Sequence, residues 1–240
     1  MKKVIALLSA ALVPLILAAC ALAPGQESPA GTGAQTDTDH VVLRLANSHN
    51  AQHITSQACQ MFADLVAERT DGRITIECHF DGELGDERST IEQCQFGGVD
   101  FTRVSSGVSA EFAPLMNALQ MPYEYTDVDH LFRVLDGEIG QEVFDTFRDN
   151  GLVGITYLHP GFRCFFNARK EIRTPADISG MRIRVSESDL MLNMMECLGA
   201  TGVGLPFNST YSAIQTGMVD GAENNMTSYV LLGGGSLLDL

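Results

Sequence analysis

Residues 180–186 read GMRIRVS, and the fold follows from how that stretch is parsed. Apolar Met181, Ile183 and Val185 alternate with basic Arg182 and Arg184, the period-2 pattern of a strand with two unlike faces. Upstream, Thr174-Pro175-Ala176-Asp177-Ile178 starts a short helix with proline in its first turn. Downstream, Ser188–Leu198 carries a helical pattern, GATGVGLPF (199–207) turns out of it, Ser209–Thr216 is a helix closed by Gly217, and Val219–Glu223 is a short strand.

The same alternation of element types runs toward the N-terminus. Strands are predicted over His40–Ala46, Arg73–Phe80, Val99–Val104, Leu152–Leu158 and, as an extended piece, Gly161–Phe166. Helices are predicted over Ala51–Arg69, Glu87–Phe96 and Asp127–Asn150, with an apolar, proline-containing loop over Phe112–Tyr125. Strands alternating with helices define an α/β protein with largely parallel sheets.

The chain has 240 residues and a formal net charge of −15. Lys2 and Lys3, an apolar run over Val4–Leu17 and Leu17-Ala18-Ala19-Cys20 mark an export signal over residues 1–19. The alanine pair before Cys20 resembles the lipobox of bacterial lipoproteins, which implies cleavage before Cys20 and lipid on its thiol; the alternative is an ordinary signal cut near Ala19 or Ala21. Losing the leader removes two of 15 basic residues and none of 30 acidic ones, so the mature charge is −17, with Lys170 the only lysine. That balance excludes a nucleic-acid partner, whose phosphates demand a basic face, and attraction to anionic lipid; lipid on Cys20 would supply the membrane contact. Residues 20–40 are expected to be the lipidated cysteine and a Gly/Pro/Ser/Thr-rich tether. Cys59, Cys78, Cys94, Cys164 and Cys197 form no CxxC pair; an odd count leaves at least one free, and burial as small apolar residues is the expectation for most.

Four stretches resemble the substrate-binding subunit of tripartite ATP-independent periplasmic (TRAP) transporters, the C4-dicarboxylate-binding family. They are the opening strand and helix, residues 68–101 around DGELGDE, residues 161–185 from GFRCFF to GMRIRV, and residues 198–225 from LGATGVGLPF to MVDGAENN. The likeness covers roughly Val41–Tyr229. It implies a two-lobed, periplasmic-binding-protein-like (type II, Venus-flytrap) α/β fold. The first lobe would span 41–160 and the second 161–240, the second incomplete because the family continues beyond DGAEN with helices and a returning strand. It also implies an extracytoplasmic, monomeric protein that captures an organic acid and delivers it to a membrane permease without ATP.

By the same resemblance Arg184 grips the ligand carboxylate at two points. A planar, fork-shaped, permanently charged guanidinium suits that task where a lysine gives only a point charge. Arg163 is a second cationic contact, Asn224 an amide donor and Phe207 an apolar wall. Glu87 corresponds to a position that takes ligand hydroxyls or amines, and Ser105, Ser106, Ser48 and His49 line the first-lobe side of the cleft. Arg182 is expected to be merely solvated. No GxSxG, P-loop or dinucleotide fingerprint points to catalysis, so the expectation is no enzyme and no cofactor. His49 and His53 lack an obvious third ligand, so no metal site is expected. Presentation of the ligand to a sensory receptor, and a truncated remnant without function, remain the alternatives.

Overall fold

The computed structural model describes residues 40–232. The leader, Cys20 and the tether as far as residue 39 lie outside the described residues, as do residues 233–240. No helix among those described is long and apolar enough to cross a membrane.

The first sheet forms from β1 (Val41–Asn47), β2 (Ile74–His79) and β3 (Phe101–Arg103), separated by α1 (Ile54–Arg69) and α2 (Glu87–Phe96). Strand order is β2-β1-β3 and both pairings are parallel. α1 packs through Cys59, Ala63, Phe62 and Val66 on Leu45, Ile76 and Phe101. α2 starts with Asp86 accepting from the Ser89 N–H and ends in left-handed Gly97, so a cap and a stop fix its length. The chain then forms α3 (Ser106–Ser109), a 3₁₀ segment over Pro114–Gln120, α4 (Val128–Leu135), α5 (Glu138–Thr146) and a second 3₁₀ turn. The single helix expected over 127–150 is thus divided at Asp136–Gly137, and the expected loop over 112–125 contains a helical turn.

The second sheet contains β4 (Arg163–Asn167), β5 (Arg182–Val185), β6 (Thr201–Gly204) and β7 (Gly221–Asn225), in the order β4-β7-β5-β6. β4 runs antiparallel to β7 and the other pairings are parallel. Between the strands lie α6 (Pro175–Ile178), α7 (Asp189–Cys197) and α8 (Thr210–Gln215), and α9 (Met226–Leu231) follows β7. Met181, Ile183 and Val185 pack on Met191 and Met195 of α7, while Phe166, Ala222 and Val219 pack on Ala213 and Ile214 of α8 and on Tyr229 of α9. Both faces of this sheet are therefore covered.

Several expectations need correction. Leu152–Leu158 forms no strand, and Val153 and Ile155 are exposed. The residue pattern is that of a strand, but a strand needs a neighbour to accept its ladder, and none of the described residues supplies one. GATGVGLPF contains a strand, β6, where only a turn was expected. β7 begins two residues later than predicted. Arg182 is not merely solvated: its guanidinium and backbone N–H both bond to Asp220, whose carboxyl these bonds hold down at about 2. The five cysteines are free thiols, but only Cys59 is buried; Cys164 and Cys197 are exposed.

Candidate functional site

The C-terminal ends of the parallel strands of both sheets face one cleft, the position at which open α/β sheets bind ligands. From β1 come Asn47, Ser48 and His49, from β3 Arg103 and Ser105, from β5 Arg184 and Ser186, and from β7 Asn224 and Asn225. The cavity of about 630 Å³ is lined by His49, Glu87, Arg103, Ser105, Ser106, Arg163, Arg184, Phe207, Asn224 and Asn225, with an apolar end formed by Phe144, Phe147, Leu152 and Val153.

Arg184 is the most unusual of these. Its residue is 3% exposed, yet it forms no ion pair among the described residues. Nε and one Nη2 hydrogen are committed to the Leu205 carbonyl, at 3.0 and 2.6 Å. That anchoring fixes the plane of the guanidinium and leaves Nη1 and the outer edge of Nη2 unspent. Burial pulls its pKa down to about 10, with Glu223 and Glu87 opposing the shift. A buried cation without a counter-ion is costly unless an anion completes it.

The other two arginines are neutralised. Arg163 donates to Glu223 through Nε and Nη2, at 2.5 and 2.7 Å, and its pKa is raised because that carboxylate more than offsets burial. Arg103 donates to Glu87 at 3.1 Å; burial lowers its pKa and Glu87 partly opposes this. Glu87 is the hub of the first-lobe wall, also accepting from Ser48 Oγ, Ser105 N–H and Ser105 Oγ at 3.3, 3.1 and 2.5 Å.

His49 is buried, edge-on to Phe207 with centroids 4.4 Å apart and tilted over His53 at 3.8 Å. Burial, then Arg103, His53 and the other arginines, holds it far below the usual imidazole value, so its ring is neutral. His53 is lowered to about 4, by burial and then Arg103. Its Nδ1 accepts from the Thr55 N–H as the cap of α1, which assigns the proton to Nε2, the atom 3.1 Å from Ser228 Oγ. That bond and the His49–Phe207 contact join the first-sheet side of the cleft to the second. A third contact is made by Gly107 of α3, where a Cβ would stand 3.2 Å from Ser186 Cβ and 3.3 Å from Ser188 Cβ. Asn224 is buried; its Oδ1 accepts from Asn225, and its Nδ2 bonds to no group among the described residues.

The structure thus brings Arg184, Arg163, Asn224, Phe207, Glu87, Ser105, Ser106 and His49 to one cavity, while Ser48 stands behind Glu87. Ser106 Oγ bonds to Gln120 at 3.3 Å. Arg103, Asn225 and the partner role of Glu223 went unforeseen. Arg103 carries the signal that marks Arg184, a charged residue at the end of a predicted parallel strand. Among the described residues no three His, Cys, Asp or Glu side chains are grouped to hold a metal ion.

Fold and site together define an α/β protein of the two-lobed, periplasmic-binding-protein-like class, with a buried guanidinium, Arg184, in its cleft. The chain belongs to the family described as bacterial extracellular solute-binding protein, family 7, whose pattern matches residues 45–234. It is 32% identical over 198 residues to a solute-binding protein of Chromohalobacter salexigens, covering 82% of this chain and 58% of that one. Among solved structures it is similar to a TRAP periplasmic solute-binding protein of Xanthobacter autotrophicus with bound β-D-galacturonate, at 34% identity and a TM-score of 0.78, covering 81% of this chain and 65% of that one. A TRAP periplasmic solute-binding protein of Sulfurospirillum deleyianum with bound succinate gives 26% identity and a TM-score of 0.79, covering 82% and 64%. The chain therefore spans less than two thirds of the length of each.

Proposed function

We propose that this chain is an extracytoplasmic solute-binding protein that captures a small organic acid in the cleft and serves a TRAP-type membrane permease. The observation that carries the reading is Arg184, a buried guanidinium held in plane by Leu205, without an ion pair among the described residues and facing the cavity. Its free Nη1/Nη2 edge would take both oxygens of one carboxylate. Asn224 Nδ2 and Arg163 would add donors, Phe207 and His49 would form the wall, and Glu87 would hold Arg103, Ser48 and Ser105 in place. Residues 41–160 and 161–240 act as two lobes that close on the ligand by hinge motion. The family membership and the bound acids of the two solved relatives support the ligand class and the permease. No catalytic role is assigned, and the protein works as a monomer.

Lipid on Cys20 would tether the protein to the outer face of the membrane. Labelling with a radioactive fatty acid tests this: Cys20→Ala should lose the label and be released, and a retained label would refute it. The ligand class is tested by thermal shift of the purified chain with D-galacturonate and with succinate. A ligand that binds only the folded state raises Tm. A rise with at least one acid, lost in Arg184→Ala, is the expected result; no rise with either acid, or a rise indifferent to Arg184, refutes the reading.

A further inference from the structure

His53 is not among the residues that line the cavity, yet it hydrogen-bonds from the first-sheet side of the molecule to the second. Its Nε2 lies 3.1 Å from Oγ of Ser228 in α9, and the two residues are 1% and 0% exposed. Each end of this bond is tied to a residue that does line the cavity. On the α9 side, the Asn225 side chain accepts the Ser228 N–H at 2.9 Å and donates to Asn224 Oδ1 at 3.0 Å. Asn224 Oδ1 also accepts the Asn225 N–H at 2.8 Å. Both bonds fall on the oxygen, so the Asn224 amide is turned with Nδ2 left for a ligand.

On the α1 side, Thr55 Oγ1 stands 2.8 Å from His53 Nδ1 and 3.1 Å from His49 Nδ1. The two imidazole rings are also in contact, with centroids 3.8 Å apart. The run Asn224–Asn225–Ser228–His53–Thr55–His49 is therefore continuous from one wall of the cavity to the other, and every member is buried. Water cannot replace a partner lost from such a network, so each bond in it constrains its neighbours more than an exposed bond would.

We infer that His53 is a positioning residue for the ligand: its bond to Ser228 fixes Asn224 and His49 relative to one another across the cleft, and affinity depends on that bond although His53 does not touch the ligand. This rests on the reading of the cleft as an organic-acid site. His53 has a second task, since its Nδ1 accepts the Thr55 N–H at 3.2 Å as the cap of α1. The two tasks use different nitrogens and can be separated. Asparagine places its amide near the Nδ1 position and glutamine near the Nε2 position. His53→Asn therefore keeps a cap and loses Ser228, whereas His53→Gln keeps a donor to Ser228 and gives up the better cap.

The test is calorimetric titration of the purified chain with D-galacturonate and with succinate, paired with thermal melts without ligand. His53→Asn and Ser228→Ala should each weaken binding of the acid that the wild type takes by about fivefold. The double variant should bind no more weakly than either alone, because both changes remove the same bond. His53→Gln should bind within about twofold of wild type while melting at a lower temperature. Unchanged affinity in His53→Asn and Ser228→Ala, additive losses in the double variant, or affinities that simply follow Tm across the set overturn the inference and leave the organic-acid reading standing. A wild-type protein that binds neither acid overturns both.

Discussion

Replacing Arg184 by alanine removes two things of different kinds, and the structure gives a magnitude for each. Toward the ligand, the Nη1/Nη2 edge can make two charge-assisted hydrogen bonds, worth about 1.5–3 kcal/mol apiece. Loss of both should weaken binding by about 3–6 kcal/mol, a factor of at least about 100. Toward the protein, the Leu205 carbonyl loses its two guanidinium donors, a cost of about 1–3 kcal/mol for an orphaned acceptor. Against this stands relief from burying a guanidinium whose pKa is already pulled down to about 10. The two protein terms oppose each other, so the ligand-free melting point should move much less than the affinity does. Arg184→Lys separates charge from geometry: it retains the cation but loses the fork, and its affinity should fall between the two proteins. Calorimetric titration with D-galacturonate, alongside thermal melts without ligand, measures both quantities. Near-wild-type affinity in a cooperatively melting Arg184→Ala protein would refute the clamp. Equal affinity of the lysine variant and wild type would refute the two-point geometry.

Arg182 should behave oppositely: Arg182→Ala breaks its bonds to Asp220 and Gly217, lowering stability by about 1 kcal/mol with the ligand Kd unchanged, and a tenfold loss of affinity would put it in the site. His53 sets an acid limit: its folded pKa of about 4 lies below the ordinary 6.5, so the stabilisation is full above 6.5 and is lost as pH falls through 4. That linkage amounts to on the order of 3 kcal/mol; Tm should fall across this window, and fall less in His53→Gln, whereas parallel curves would show that His53 is not responsible. Gly107→Val should weaken ligand binding by about tenfold or more, because its side chain would press on Ser186 and Ser188. Unchanged binding in that variant would mean the two walls need not meet there.

What the sequence disclosed and what it withheld divide along physical lines. Elements that carry their own period and their own caps were legible: α2 between Asp86 and Gly97 matches its predicted span. β6 was not, because Thr201-Gly202-Val203-Gly204 shows no alternation. It is a strand because Gly202 lets the backbone approach Leu192 and Met195 of α7, where a Cβ would stand 3.1–3.3 Å away. The reverse error at Leu152–Leu158 has the same root, since pairing is a property of two segments and a sequence pattern reports only one. Within the cleft, residue types pointed to Arg184 and Arg163 alike. Only the fold shows that Glu223 forms an ion pair with Arg163 while, among the described residues, no carboxylate pairs with Arg184.

That difference also answers why two arginines stand two apart in so acidic a chain. β5 alternates, so Arg182 and Arg184 share the face opposite the apolar one that packs on α7, but they stand at different positions along the strand and meet different neighbours. Arg182 meets Asp220, the residue just before β7, and their ion pair ties the edges of two adjacent strands. Arg184 sits further along the strand, opposite Ala222, where β7 offers no carboxylate at that position. The next residue, Glu223, points to the other side of β7 and is taken by Arg163. Strand alternation thus delivers an acid to each of two arginines and denies it to the third. The negative charge of −15 acts at long range and is screened by salt, whereas the Arg184 charge, on a residue 3% exposed, acts at contact. Anion capture should accordingly quicken as ionic strength rises, while the dissociation rate, governed by contacts around Arg184, changes little. Stopped-flow measurement of both rates at low and high salt decides this, and an association rate that slows with added salt would show that the cleft's own field, rather than the acidic exterior, governs the approach.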